Sequence, residues 1–220
     1  MSDTLTLAID ASTYRGTVAV LAGQNVIATS EVAMRGEREE RLMPAIATAL
    51  GTAGVVVSEL TKVVVGAGPG SFTSLRIGAA LAKGIAVARG VPIAAMPSLA
   101  LLVAGTDAPV ADGRYLAILD AMRGDVYAAV VESNDGVVVA VSDERLLPRG
   151  AVAEFAHRHE ARVVGAGEAV DAMPHARGLA RLAASLVRDV SLAAWEPDYG
   201  RLAEAQVKWE TEHGRSLTTG

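Results

Sequence analysis

Ala8-Ile9-Asp10-Ala11, a turn carrying Gly16, and Val18-Ala19-Val20 form one unit near the start of this 220-residue chain. Ile118-Leu119-Asp120-Ala121, a turn carrying Gly124, and Val126-Tyr127-Ala128-Ala129 form a second. In each, an apolar strand ends in Asp-Ala, the chain turns through a glycine, and an apolar strand returns. The spacing of about 110 residues is too long for a solenoid and suits a duplicated α/β domain with two facing lobes. Working outward, residues 5–10, 17–21 and 26–32 read as a β-meander, and residues 115–120, 126–132 and 137–141 as its counterpart. Asn134-Asp135-Gly136 is a strong hairpin signal within the second set.

Between the meanders the pattern turns helical. Arg35 to Leu50 reads as a helix with Leu42, Ile46, Ala49 and Leu50 on one face, and Pro44 starts or kinks its apolar part. Residues 62–65 read as a strand, 72–89 as a long helix stopped by Gly90, 91–95 as a strand, and Pro97-Ser98 as the start of a short helix. Asp107, Pro109 and Gly113 mark a hinge. The expected division is a lobe over 1–105, a lobe over 106–210, and a frayed tail over 211–220. The second lobe is expected to hold a helix over 151–159, a strand over 162–164, and an amphipathic helix over 176–190 with Leu179, Leu182, Leu186 and Val187 on one side.

Composition narrows the function. Half the residues are apolar, so a sizeable core forms. No apolar run reaches the roughly 18 residues of a membrane span. Met1-Ser2-Asp3-Thr4 lacks the basic region of a signal peptide. The absence of cysteine removes disulfides, zinc fingers and thiol nucleophiles together. The cytoplasm is the expected compartment. A net charge of −5, with two Phe, two Trp and four Tyr, argues against direct RNA binding, so a partner is expected to bring any nucleic acid.

Gly66-Ala67-Gly68-Pro69-Gly70-Ser71-Phe72-Thr73-Ser74-Leu75-Arg76 is the most informative stretch. A strand feeds a glycine-rich turn, and Ser71 or Thr73 is placed to cap the helix after it. The turn is not a Walker A loop, since no Gly-Lys-Ser/Thr follows. Its third glycine comes one residue early for G-x-G-x-x-G, and it is not a nucleophile elbow. Two readings stand: a helix N-terminus that binds an anion, or a tight strand-to-helix turn. The helix itself carries Gly78, Ala79, Ala80, Ala82, Gly84, Ala86 and Ala88. Each interior glycine costs roughly 1 kcal/mol against alanine, a reason to look for a closely packed neighbour in this chain or in a partner.

Two lobes with facing Asp-bearing hairpins resemble the actin, sugar-kinase and Hsp70 superfamily. Three blocks narrow that resemblance: Ala8 to Thr13, Gly68 to Gly78, and Leu119 to Tyr127, with a weaker fourth at Pro197-Asp198-Tyr199-Gly200-Arg201. Together, and in this order, they resemble the TsaB (YeaZ) family over roughly residues 4 to 206. The resemblance implies a non-catalytic subunit that dimerises with a catalytic homologue, TsaD, and is joined by an ATPase, TsaE. The family assembly transfers a threonylcarbamoyl group from its adenylate to the amino group of an adenosine beside the tRNA anticodon. Carried over, the partner contacts fall on Arg41, Leu42, Ile46 and Leu50 of one helix and Phe72, Leu75, Ile77, Gly78 and Leu81 of the next. The sequence departs from the family at Arg38-Glu39-Glu40-Arg41, at Ser74 (usually Gly), and at Tyr199-Gly200-Arg201 (usually Tyr-Leu-Arg).

The catalytic relatives hold a metal through H-x-x-x-H on a helix, whereas His157, His159, His175 and His213 form no such pair. No metal site and no catalytic residue is expected. A second reading is an ATP-dependent phosphotransferase or ATPase of the same fold, with Asp10, Ser12, Thr13 and Asp120 at phosphate and Mg²⁺. Against it, Gly165-Ala166-Gly167 is a weak adenosine loop, and both aspartates suit turn capping. Weak ATP or ADP binding without turnover fits either reading, and no cofactor is required. A third reading is a homodimer through the small-residue helix.

Overall fold

The computed structural model describes residues 4–34 and 40–200. The expectations on Arg35, Arg38, Glu39, Arg201, His213 and the 211–220 tail lie outside the described residues.

The first half forms β1 (Leu5–Asp10), β2 (Arg15–Ala22), β3 (Asn25–Ala33), α1 (Leu42–Ala53), β4 (Lys62–Gly66), α2 (Phe72–Arg89), β5 (Ile93–Met96) and α3 (Leu101–Ala104). The second forms β6 (Gly113–Asp120), β7 (Asp125–Asn134), β8 (Val137–Ala140), β9 (Arg145–Pro148), α4 (Val152–Arg158), β10 (Arg162–Gly165), β11 (Val170–Asp171) and β12 (Arg188–Asp189). The first sheet runs β12-β5-β4-β1-β2-β3 and the second β11-β10-β6-β7-β8, with β9 also on β7. In each, a strand pairs antiparallel with the next in a meander and parallel with the strand that returns after a helix. The duplication read from the two Asp-Ala units is therefore a duplication of topology. This is an α/β, actin-like two-lobed fold.

Strand alternation sorts side chains onto two faces. Leu7, Ile9, Val18, Val20, Val63 and Val65 face α1 and α2. Leu116, Ile118, Val126, Ala128 and Val130 face α4. The intervening residues Ala8, Ala19, Leu21 and Val64 of one sheet share a single buried cluster with Tyr115, Ala117, Leu119 and Tyr127 of the other. Helix α3, wholly buried, sits in that cluster. The lobes are joined by apolar packing and not only by a linker.

Helix α1 begins at Leu42, later than the sequence suggested. The Glu40 carboxylate accepts from the backbone N–H of Leu42 and Met43, and Pro44 falls in the first turn, where its missing N–H costs nothing. Helix α2 runs over the expected Phe72–Arg89 and closes on left-handed Gly90.

The expected helix over 176–190 does not form. Residues Ala176–Arg181 make a 3₁₀ turn, Ala184–Leu186 another, and Arg188–Asp189 is β12, antiparallel to β5. Tertiary contacts override the periodicity. A Cβ on Gly178 would lie 2.8 Å from the Gly105 nitrogen, Leu182 bridges Val138, and the Arg181 guanidinium donates to the carbonyls of Ala104, Thr106 and Asp107. Residues 188–195, read from sequence within the second lobe, thus pack on the first sheet, where Lys62 pairs with Asp189 at 3.0 Å. Strands β9 and β11 were not expected either. Among the described residues no helix is long and apolar enough to cross a membrane.

Candidate functional site

The β1–β2 and β6–β7 turns face a cleft of about 1000 Å³ between the lobes. Ser12, Thr13, Ser71, Thr73, Asp120 and Arg123 line it together with a larger apolar set that includes Met34, Phe72, Met122, Tyr127, Met173 and Tyr199.

Asp10 does not reach the cleft. Its side chain is 0% exposed. One carboxylate oxygen accepts from Ser12 N–H (3.1 Å) and the Ser12 hydroxyl (2.7 Å), and the other from the Ser98 hydroxyl (2.6 Å). Ser98 Oγ in turn accepts from the Gly68 N–H at 3.2 Å. Burial raises the carboxyl pKa, and the bonds from Ser98 and Ser12 pull it partly back. Asp120, in the matching place, is exposed and accepts from Met122 N–H at 2.9 Å. Thr13 Oγ1 accepts from Arg15 N–H. Of the four residues read as candidate nucleotide contacts, Ser12, Thr13 and Asp120 meet at the cleft and Asp10 lies sealed behind them. That set does not fit the two-carboxylate Mg²⁺ arrangement, because Asp10 is committed to two serines.

The glycine loop is filled by the chain itself. A Cβ on Gly70 would stand 1.9 Å from the Ser12 carbonyl oxygen, and one on Gly68 (φ +96°) 2.1 Å from that of Asp198. Ser71 N–H donates to Ser12 O at 2.7 Å, and Asp198 N–H to Ala67 O at 2.7 Å. The glycines permit close approach of two backbone segments, which is the tight-turn reading. Ser71 holds the N-cap position of α2 without a side-chain bond to the helix backbone; its hydroxyl meets that of Ser74 at 3.1 Å. Tyr199 completes the wall: it packs on Phe72 at 4.6 Å, and Tyr127 Oη donates to Tyr199 O at 3.2 Å.

Several expected partner contacts face inward. Leu42, Ile46 and Leu50 of α1 and Leu75 and Gly78 of α2 are buried in their own lobe. A Cβ on Gly78 would meet Ala11 Cβ at 3.1 Å, so its small size lets the β1–β2 turn pack close against α2. Phe72, Ile77 and Leu81 are half-buried, and Arg41 is exposed. The outward face instead shows Met43, Pro44 and Ala47 of α1, and Thr73, Ala80, Gly84, Val87 and Ala88 of α2. Among the described residues, nothing beyond its own helical turn lies within 4 Å of a Cβ placed on Gly84.

A second cluster joins the lobes on another side. His175 is buried; its Nδ1 accepts from Arg177 N–H at 3.0 Å, and its Nε2 stands 3.3 Å from Glu31 Oε1, out of good hydrogen-bond line. Ala176 N–H donates to Thr17 Oγ1 at 3.0 Å. Burial, and then Arg177, lower the imidazole pKa to about 4 against the pull of Glu31 and Asp107. The sequence points to no role for His175 and to Ser98 only as a helix opener. A lone histidine or serine carries no periodic signal, and only the long-range packing marks them. Among the described residues no three His, Asp or Glu side chains converge as metal ligands would.

Two sheets of one order, duplicated and facing across a cleft, define an actin-like protein of two lobes. Residues 31–195 match the family model for TsaD, tRNA N6-adenosine threonylcarbamoyltransferase. The chain is 30% identical to the Bacillus subtilis tRNA threonylcarbamoyladenosine biosynthesis protein TsaB, over 92% of this chain and 96% of that one. It is 33% identical to the Escherichia coli TsaB over 59% of this chain and 55% of the relative. In structure it resembles YeaZ from Pseudomonas aeruginosa, with a TM-score of 0.72, 26% identity, and 89% and 99% of the two chains covered. A Pseudomonas aeruginosa protein described as similar to peptidase YeaZ superposes with a TM-score of 0.74 at 26% identity, over 90% of this chain and all of that one. The chain belongs to the TsaB (YeaZ) family.

Proposed function

We propose that this chain is a non-catalytic, cytoplasmic subunit that dimerises with a TsaD-type catalytic subunit and supports threonylcarbamoyl transfer to adenosine in tRNA. Membership of the TsaB family carries the coarser part, involvement in tRNA threonylcarbamoyladenosine biosynthesis. The observation that carries the rest is the outer face of α1 and α2. Gly84 sits mid-helix with open space around it, flanked by Ala80, Ala88 and a Val87 that is 66% exposed. A glycine that costs about 1 kcal/mol and meets nothing among the described residues beyond its own helix suits a helix laid close against it by a partner. The sealed Asp10 and the filled glycine loop support a supporting role over catalysis, with no cofactor required. A TsaE-type ATPase joins the pair, and tRNA is met only through the assembly.

The test is reconstitution. The purified chain is mixed with the TsaD and TsaE homologues of the same organism, and threonylcarbamoyladenosine in tRNA is measured with and without it. Product is expected only with the chain present, and no ATP turnover from the chain alone. Gly84→Arg is expected to weaken assembly at least tenfold, the scale of a central interface residue, with an unchanged thermal midpoint. Product formed equally well without the chain, or ATP hydrolysis by the chain that Asp120→Ala stops, overturns the proposal in favour of the phosphotransferase reading. A homodimer that Gly84→Arg also dissolves places both pairings on one face.

A further inference from the structure

Most edges of the two sheets are blunted. Strands β11 and β12 are two residues long. β9 has four residues and ends in Pro148. β8 also has four, and its Val138 is bridged to Leu182, with Ala183 N–H donating to Val138 O at 2.9 Å. β3 is the exception. It runs for nine residues, and among the described residues its one strand partner is β2. Native edges of that length are guarded by Lys, by Pro, by a bulge or by a covering element, because the open N–H and C=O groups accept a further strand. β3 carries neither Lys nor Pro, and Glu31 is its one charged residue. Its bulge, at Ile27, lies toward one end, and residues 28–33 keep a regular register with β2.

A second copy of this strand fits the edge. Two copies pair antiparallel about a two-fold axis normal to the sheet, and side-chain alternation requires that axis to pass beside a residue. Centred on Glu31, two carboxylates would face each other. Centred on Thr29, the pairing would run into the bulge at Ile27. Centred on Ser30, serine faces serine, Thr29 faces Glu31 and Ala28 faces Val32, so no like charges are opposed and every pair lies in the regular stretch. The helical layer agrees. Helix α1 packs on β2 and β3. With strands about 4.8 Å apart, a helix over that pair stands about 5 Å from the axis, and two such helices about 10 Å from each other, the distance at which helices pack. Residues 42–58 carry no charge, and Met43, Pro44, Ala47, Thr48 and Gly51 are exposed, so two α1 helices meet without repulsion. Helix α2, with Gly84, packs on β1 and β4, away from this edge. We propose that β3 is the seam of a homodimer, in which two copies join their first sheets edge to edge, antiparallel about Ser30.

The full-length chain contains no cysteine, so an introduced thiol reports on its own neighbour. Ser30→Cys sets two thiols across the axis at a Cα separation of about 5 Å, inside the disulfide range. Val26→Cys, at a site 39% exposed on the same strand, would lie about 27 Å from its copy. Under air oxidation Ser30→Cys is expected to form the disulfide-linked dimer at least tenfold faster than Val26→Cys. Sedimentation of the cysteine-free chain over a concentration series is expected to show a reversible monomer–dimer equilibrium. Ser30→Asp opposes two carboxylates and is expected to raise its midpoint concentration at least tenfold. An equimolar mixture of Ser30→Asp and Ser30→Lys is expected to restore the dimer, which also shows that both variants fold. Gly84→Arg is expected to leave it unchanged. A chain that stays monomeric throughout the series, or equal cross-linking at the two positions, overturns the proposal. So does a dimer that Gly84→Arg dissolves and Ser30→Asp does not, which would belong to the face of α1 and α2.

Discussion

The β1–β2 and β6–β7 turns begin from the same Asp-Ala pair and occupy matching places in matching sheets. Each aspartate accepts from the backbone N–H two residues on, Ser12 in one and Met122 in the other. Beyond that bond they part. Asp10 is enclosed by Ser12, Ser98 and Gly66, and a Cβ on Gly66 would stand 2.0 Å from its carboxylate. Asp120 is open to solvent, and its turn passes through three left-handed residues, Met122, Arg123 and Gly124. The first turn is pinned by the glycine loop, by Ser98 and by Ala176 through Thr17; the second is held by its own strands and by Arg149 N–H on the Gly124 carbonyl. One motif has become a structural rivet in one half and has stayed an exposed rim in the other. Burial, more than residue type, decides what an aspartate can do.

Four substitutions sharpen or break this contrast. The largest effect is expected at Gly70→Ala, where the new methyl meets backbone and not a flexible side chain. A loss above about 4 kcal/mol in denaturant unfolding follows, and near-neutral behaviour would mean the loop and the first turn are not in contact. Asp10→Ala leaves two buried serine hydroxyls without their acceptor and is expected to cost about 3 kcal/mol. A loss below about 1 kcal/mol would show that Asp10 is not the rivet.

The buried His175 gives a pH signature on the first turn's far anchor. Its folded pKa of about 4 lies below the ordinary 6.5. The unfolded chain therefore binds the proton more readily, and this contribution to stability is lost as pH falls between those values. Asp10 and Glu144 are shifted upward, Glu144 to about 7 by burial and then by Asp198, and they tilt stability the opposite way. The readout is accordingly a difference. The stability of the parent minus that of His175→Asn should rise by about 2 kcal/mol from pH 4 to 6.5. A flat difference would contradict a buried neutral imidazole. Asp120→Ala closes the series with a change within about 0.5 kcal/mol, as for an exposed turn; a loss equal to that of Asp10→Ala would erase the contrast.

Much of this was legible in the residues. The two Asp-Ala units announced the duplication, because alternation and turn glycines are local signals. Helix α2 could be bounded to the residue by Gly70-Ser71 and Gly90. The failures share one cause. Residues 176–190 carry a helical apolar period, yet Gly178, Leu182 and Arg181 are claimed by partners some 40 to 75 positions away in sequence. Ser98 looked like a helix opener, and its bond to Asp10 spans 88 positions. The inward-facing Leu42, Ile46 and Leu75 show a further limit. An apolar face on a surface helix satisfies its own sheet first, and a partner sees the opposite side.

The antiparallel contact of β12 with β5 sets the order of events during synthesis. Strands β1 to β5 can pair as soon as they leave the ribosome, but the outer edge of β5 stays open until Arg188 and Asp189 are made. The shared core between the sheets likewise waits for β6 and β7. Neither half is complete while the other is missing. The nascent chain consequently carries an exposed parallel edge through most of its elongation, a window in which edge-to-edge pairing competes with folding. Slow translation of the second half would lengthen that window, and soluble yield should then track elongation speed more closely than the stability of the finished protein does.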